Sequence, residues 1–89
     1  MPSYLVETYL ARGRAGERAA RDRRARSATE ELAREGIVVG FERSIHVPED
    51  ELCFFVFSAA SGRDAALVAE RAGLDPLRVV ETITSKEET

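Results

Sequence analysis

The stretch RSIHVPEDELCFFVF, residues 43–57, decides the fold of this 89-residue chain. It contains the chain's one histidine and one cysteine, separated by a turn-forming proline and three consecutive acids. Proline suits the first central position of a β-turn, and the acids keep residues 48–51 in water. The apolar, β-branched and aromatic runs on either side, residues 37–47 and 52–59, therefore predict a β-hairpin.

Two further strands and two helices flank this hairpin. Alternating β-formers predict strands from Ser3 to Leu10 and from Leu77 to Thr84. Helix formers without proline predict a long helix, residues 17–35, that ends at Gly36. Ser61, with Asp64 three residues later, predicts the cap of a second, short helix that ends at Gly73.

The order of these elements, β-α-β-β-α-β, predicts an α+β fold of the ferredoxin-like type. Right-handed crossovers then give a four-stranded antiparallel sheet of order 4-1-3-2 with both helices on one face. We expect residues 1–84 to form a single domain, because a chain of this length closes only one core. Residues 85–89 form a polar tail.

The composition indicates a globular protein, with 44% hydrophobic and 33% charged residues. No apolar run approaches the ~20 residues of a membrane span, and no basic segment precedes an apolar one near the N-terminus. A lone Cys53 forms no internal disulfide and no multi-cysteine zinc site. These features predict a cytoplasmic protein with no membrane partner.

Charge is distributed unevenly along the chain. Seven arginines lie between Arg12 and Arg26 against two acids, although the net charge of the whole chain is −3. Clustered arginines are typical of nucleic-acid binding, but no aromatic residue interleaves them to stack a base. The sequence therefore favours a solvated helix face over a nucleic-acid site.

Strand parity predicts the side chains of the open face, by which we mean the side of the sheet away from the helices. A carboxylate without a partner is costly to bury, so we expect Glu7 and Glu81 on the open face. In the second strand, Ile37, Val39, Phe41, Ile45 and Val47 form the apolar parity and are expected to face the helices. Arg43 falls on that apolar parity, which predicts a β-bulge or a rim position there. The predicted open-face set is Leu5, Glu7, Tyr9, Val38, Glu42, Ser44, His46, Val79, Glu81 and Ile83.

The third strand is apolar on both sides. One parity holds Leu52, Phe54 and Val56, and the other holds Cys53, Phe55 and Phe57. A monomer would leave one of these sets in water on a central strand. The sequence therefore predicts a homodimer whose open faces meet, as in dimeric α+β barrels.

Two groups of polar residues are candidate sites. Five residues of the predicted open face are candidate ligand or pocket residues, suited to acid–base chemistry if a dimer encloses them: Glu7, Tyr9, Glu42, His46 and Glu81. The alternative is that these acids form salt bridges with Arg43 and Arg78, or across the dimer. No nucleophile–base pair, glycine-rich phosphate loop or cofactor fingerprint is present, so the only enzyme class left is cofactor-free proton transfer.

The turn of the hairpin holds the second candidate, a string of His46, Glu49, Asp50 and Cys53. Zinc and nickel accept imidazole, carboxylate and thiolate ligands, and His46 with Glu49 is the pair expected to hold a metal. The alternative is a turn with solvated acids and a small buried thiol that packs as a hydrophobe.

Four motifs together resemble a family of small bacterial proteins classed as a domain of unknown function: YLVETYL, RSIHVPEDELCFFVF, SAASGRDA and AGLDPLRVVE. The resemblance covers roughly residues 3–84. It implies a ferredoxin-like fold, a homodimer and nickel binding, so the cofactor that the resemblance suggests is nickel.

The leading hypothesis is thus a homodimeric protein that binds a divalent metal such as nickel, or a small ligand, at or near the dimer interface. The alternative is a cofactor-free isomerase, cyclase or monooxygenase of the dimeric α+β-barrel type, with His46 or a carboxylate as the base. The sequence favours binding over catalysis without deciding between them.

Overall fold

The structure, a computed structural model, describes residues 1–83. The predicted strand end at Thr84 and the tail 85–89 lie outside the described residues. Four strands and two α-helices follow one another along the chain: β1 (Ser3–Tyr9), α1 (Glu17–Arg34), β2 (Val39–Val47), β3 (Leu52–Ala59), α2 (Gly62–Arg71) and β4 (Arg78–Thr82). Short 3₁₀ turns at Arg12–Arg14 and Pro48–Asp50 connect β1 to α1 and β2 to β3.

The strands form one antiparallel sheet in the order β2-β3-β1-β4. The two helices contact each other as well as the sheet, so both lie on the same face. The predicted ferredoxin-like fold and strand order are therefore confirmed.

Both helices end in the way that their glycines predict. At the end of α1, the Gly36 amide donates to the Ala33 carbonyl, and the Ile37 amide donates to the Leu32 carbonyl. This is a Schellman motif, which requires the left-handed backbone of Gly36, with φ of 88°. The same pattern closes α2 at Gly73 and Leu74. The Ser61 hydroxyl accepts from the Asp64 amide at 3.2 Å and caps the start of α2, as expected.

The core lies between the helices and one face of the sheet. The largest buried side chains come from β1 and β3, including Val6, Phe55 and Phe57. The helices contribute mostly small residues, with α1 burying Ala25, Ala28 and Leu32, and α2 burying Ala65, Val68 and Ala69. Alanines let the helix backbones approach the sheet closely, and the aromatic rings then fill the space between the layers.

A β-bulge in β2 reverses the side-chain parity of that strand. Phe41 lies opposite Phe57, but Arg43 lies opposite Val56, so Glu42 is the additional residue. The predicted irregularity at Arg43 is confirmed. Its consequence was not predicted. One extra residue in the strand moves every later side chain to the other face of the sheet.

The bulge corrects four face assignments. Ser44 and His46 lie opposite Phe55 and Cys53 and therefore face the helices, contrary to prediction. Ile45 and Val47 were expected to face the helices and instead share the open face with the residues opposite them, Phe54 and Leu52.

Parity in β4 also differs from the prediction. Val79 lies opposite Val6, and Glu81 lies opposite Tyr4, so both lie on the helix side of the sheet and Arg78, Val80 and Thr82 lie on the open face. The argument that Glu81 is too costly to bury was wrong because β4 is an edge strand. The Glu81 side chain is exposed there, so it needs no partner.

Candidate functional site

The open face of the sheet is largely apolar. Eight apolar side chains lie there, contributed by all four strands: Leu5, Tyr9, Ile45, Val47, Leu52, Phe54, Val56 and Val80. Val56 is buried by its neighbours, yet it is not part of the core cluster beneath the helices. Tyr9 and Ile45 are 56% and 41% exposed. No element of residues 1–83 covers this face.

Four polar residues on the open face are paired with one another. The Arg78 guanidinium donates from Nε to Glu7 Oε1 at 3.0 Å, which joins the edge strand β4 to β1. The Ser3 hydroxyl donates to Glu42 Oε2 at 2.9 Å, so the bulge residue reaches the open face from β2. The expected salt bridge between an open-face acid and Arg78 is confirmed.

Of the five predicted pocket residues, Glu7, Tyr9 and Glu42 lie on or reach the open face. His46 and Glu81 do not, because of the parity changes in β2 and β4. The structure therefore does not bring these five side chains together as one acidic cluster. Whether any of them binds a ligand stays a prediction.

His46 instead belongs to a polar row on the helix side of the sheet. It lies opposite Cys53, which lies opposite Thr8 on the next strand. The Thr8 hydroxyl is buried and donates to the Cys53 carbonyl at 2.7 Å. Two polar residues of α1, Arg21 and Asp22, cover this end of the sheet.

Of these two helix residues, Arg21 has the more complete set of hydrogen-bond and ion-pair partners. Its Nη1 donates to the Tyr9 carbonyl at 3.0 Å, and its Nη2 lies 3.5 Å from Glu17. Burial raises the pKa of the Cys53 thiol, the negative charge of Asp22 raises it further, and the positive charge of Arg21 opposes the shift. Asp22 and Arg21 are thus close enough to Cys53 for their charges to act on it.

Two atoms of this buried region have no hydrogen-bond partner among the described residues. They are Asp22 Oδ1, on the helix, and His46 Nε2, on the sheet, and both are shielded from solvent. Arg26 stacks over Phe41 with 5.2 Å from its guanidinium carbon to the ring centroid. Asp22 lies one turn earlier in α1, about 6 Å further along the helix axis. Because α1 runs antiparallel to β2, this places Asp22 over the end of β2 that carries His46.

The predicted metal pair, His46 and Glu49, is not brought together. Glu49 is exposed in the turn, where its carbonyl accepts from Arg12, whereas the ring of His46 points under α1. Within residues 1–83, no group of three or more histidine, cysteine, aspartate or glutamate side chains is arranged to hold a metal ion. The turn is ordered by other contacts, including Glu51 Oε2, which accepts from the Arg12 amide at 2.9 Å.

Sequence reasoning missed Asp22 as a residue of the layer interface. The signal was present, since Asp22 lies three residues before the buried Ala25 and so falls on the inner side of the helix. Arg21 also lies in this interface, and its partners on β1 could not be read from the sequence.

Comparison with known proteins gives the fold alone. No protein-family model matches the chain, and no curated protein matches it. The chain is similar in structure to SCO4226 from Streptomyces coelicolor A3(2), known from a crystal structure, with a TM-score of 0.61 and 15% sequence identity. The match covers 93% of this chain and 98% of the Streptomyces chain. At this identity the likeness supports the architecture and says nothing of activity. None of the helices within residues 1–83 is long and apolar enough to cross a membrane.

Proposed function

We propose that this protein is a homodimer whose open faces pack together, and that it binds a small ligand in or beside the interface. The observation that carries this proposal is the apolar open face, to which all four strands contribute. A contiguous exposed apolar surface on a folded protein of this kind marks an interaction site.

A second copy of the chain is the partner that fits this face best. A two-fold interface presents the same surface from both sides, so the partner is as apolar as the face itself. The molecule measures 36 by 34 by 18 Å, and its broad side offers the roughly 800 Å² per partner that a stable interface buries. The face carries two acids, Glu7 and Glu42, and two arginines, Arg43 and Arg78, so two copies meet without an excess of like charge.

The polar residues on the open face support a binding site for a small ligand beside the interface. Tyr9 is exposed at the end of β1, and Glu7 lies on the same face two residues before it. In a dimer these groups line the margin of an apolar contact, where a few polar groups orient a ligand whose body is apolar.

Charge introduced at Ile45 tests the interface. Ile45→Glu places a carboxylate on the open face at a partly exposed position, so the monomer keeps its core while the dimer has to bury an unpaired charge. The matched control is Leu77→Glu, which makes a similar change at a position that is 60% exposed, precedes β4 and, as the neighbour of Arg78, falls on the side of the sheet away from the open face. Light scattering after size exclusion is expected to show a dimer for the control and a dissociation constant raised at least tenfold by Ile45→Glu.

Equal masses for the two variants at every concentration would contradict the interface. Circular dichroism spectra that match those of the unmodified chain show that both variants are folded.

A divalent metal such as nickel is the second candidate, and what favours it is the pair of shielded, unpartnered atoms beneath α1. The side chains that would hold it are His46 and Asp22, with imidazole and carboxylate as ligands. The arginines at positions 18 and 21 oppose a cation here, since their positive charges act on the neighbouring Cys53. For this reason the metal stands second to the dimer.

Calorimetric titration with nickel chloride tests the metal. If His46 and Asp22 hold it, His46→Ala and Asp22→Asn each reduce affinity at least tenfold, and Glu49→Gln leaves it unchanged. Loss of binding in Glu49→Gln alone would move the site to the hairpin turn. Failure of the unmodified chain to bind would remove the metal altogether and leave the dimer proposal intact.

A further inference from the structure

The outer surface of the two helices contains a second site, remote from the open face. A groove of about 570 Å³ runs between α1 and the end of α2, within the range of ligand pockets. Three arginines line it, together with a serine, an acid and the last turn of α2: Arg23, Arg24, Ser27, Glu31, Arg71 and Ala72. This is where the arginine-rich segment noticed in the sequence meets a concave surface.

Arg24 is held in place by the protein and still has free donors. Its Nε donates to the Ala72 carbonyl at 2.9 Å, which fixes the guanidinium at the end of α2. Neither terminal nitrogen of Arg24 has a partner among the described residues. A guanidinium anchored by one edge offers its other edge to a ligand with little further loss of side-chain entropy.

The neighbouring residues add donors of the same kind. Within residues 1–83, Arg23 makes no hydrogen bond or ion pair, and the Ser27 hydroxyl has no hydrogen bond. Arg71 is different, because Glu35 binds it through both terminal nitrogens and Glu31 lies 3.3 Å from its Nη1. The groove therefore has two unpaired guanidiniums on one wall and a neutralised one on the other.

We propose that this groove binds a small molecule bearing a phosphoryl group. A phosphate presents at least three acceptor oxygens in a tetrahedral arrangement, which Arg23, Arg24 and Ser27 can bond together. A carboxylate presents its two oxygens in a single plane, which suits a bidentate contact with one guanidinium better than three donors that converge from different directions. Phosphoryl recognition by paired arginines requires no metal and no contribution from the open face.

Glu31 sets the affinity of the groove. It is the one acid that lines the groove, and its distance to Arg71 is longer than the 2.7 Å of the Glu35 contact. Removal of its charge leaves Arg71 bound to Glu35 while reducing repulsion of the ligand. A specific site therefore responds to Glu31 and to the lining arginines, and not to charges of the same sign elsewhere on α1.

Nuclear magnetic resonance titration of the ¹⁵N-labelled chain tests the proposal at about 0.15 M salt, where charges beyond about 8 Å are screened. The probes are inorganic pyrophosphate and a sugar monophosphate, with succinate as the carboxylate whose charge matches that of the sugar monophosphate. We expect saturable shifts with the two phosphates, confined to residues 20–31 and 71–72, and weaker binding of succinate. Tighter binding of the sugar phosphate than of pyrophosphate identifies the ligand as a phosphate ester rather than a free phosphate.

Matched variants separate this site from general basicity. Arg23→Gln and Arg24→Gln are each expected to weaken phosphate binding about tenfold or more, and Arg23→Gln removes no contact within the protein. Glu31→Gln strengthens binding. Arg34→Gln and Glu30→Gln make the same charge changes on α1 outside the groove and leave affinity unchanged.

Three results would overturn the proposal. The first is succinate binding equal to that of the phosphates, and the second is equal weakening by Arg34→Gln and Arg23→Gln. The third is tighter binding of a single-stranded oligonucleotide through the same arginines, which would make the groove a nucleic-acid contact instead.

Discussion

Cys53 is a packing residue of the layer interface. Its side chain is fully buried between β3 and α1, and burial raises the pKa of its thiol, with the negative charge of Asp22 adding to the shift. The thiolate, which is the nucleophile, therefore forms only at higher pH than in a free cysteine. The sequence interpretation of this residue as a small buried hydrophobe agrees with this environment.

We predict that a thiol reagent does not modify Cys53 in the native protein. Near pH 8, modification should be roughly 1,000-fold slower than in the urea-unfolded chain and should accelerate only as urea unfolds the protein. Absorbance on reaction with a disulfide reagent measures this rate. Rapid stoichiometric modification without urea would mean that α1 opens locally over the sheet.

Residue-scale features that depend on neighbours in sequence were predictable. The cap at Ser61 and the glycines that end both helices follow from local backbone chemistry. The environment of His46 was not predictable, because it depends on how many residues β2 places opposite β3. A single additional residue decides it.

Among the elements, the two helices are linked at their ends by Arg71. This residue of α2 binds Glu31 and Glu35 at the end of α1. The hydrogen bond from Arg71 holds the pKa of the Glu35 carboxyl below its ordinary value, and the positive charges of Arg71 and Arg34 add to this. Both partners are solvent-exposed, so salt is expected to weaken the link.

The direction of the Glu35 shift gives a pH prediction. A carboxyl with a lower pKa in the folded state stabilises the fold above its unfolded-state pKa, and this contribution is lost as pH falls through the folded pKa. Urea unfolding of the unmodified chain should therefore lose more stability between pH 7 and pH 3 than that of Glu35→Gln. Glu30→Gln, on the same helix, is the control and should behave as the unmodified chain does.

Strand identity and order were predictable, whereas strand faces were only partly so. Alternation in β1 is regular and set the correct faces, whereas β3 is apolar on both sides and its sequence left open which side the helices cover. The bulge in β2 was recognised at Arg43, but the parity of the residues after it was continued as though no residue had been added. In β4, Glu81 was placed on the open face to avoid the cost of burying a carboxylate. That cost does not arise on the helix side either, because β4 is an edge strand and leaves the side chain in water.

At the scale of the whole molecule, the corrected faces leave the argument for a dimer in place. The bulge moves Ile45 and Val47 onto the open face and removes Ser44 and His46 from it, whereas β4 presents Val80 between Arg78 and Thr82 in place of the expected Val79 and Glu81. The open face therefore keeps apolar side chains from all four strands. The polar residues that leave it lie on the helix side, where His46 and Asp22 keep shielded atoms without partners.

Sedimentation velocity of the unmodified chain over a range of micromolar concentrations tests the central claim most directly. A dimer through the open face predicts one species of about twice the 9.8 kDa chain mass, which dissociates only on dilution. A single species of 9.8 kDa throughout, at tens of micromolar and physiological salt, would contradict it.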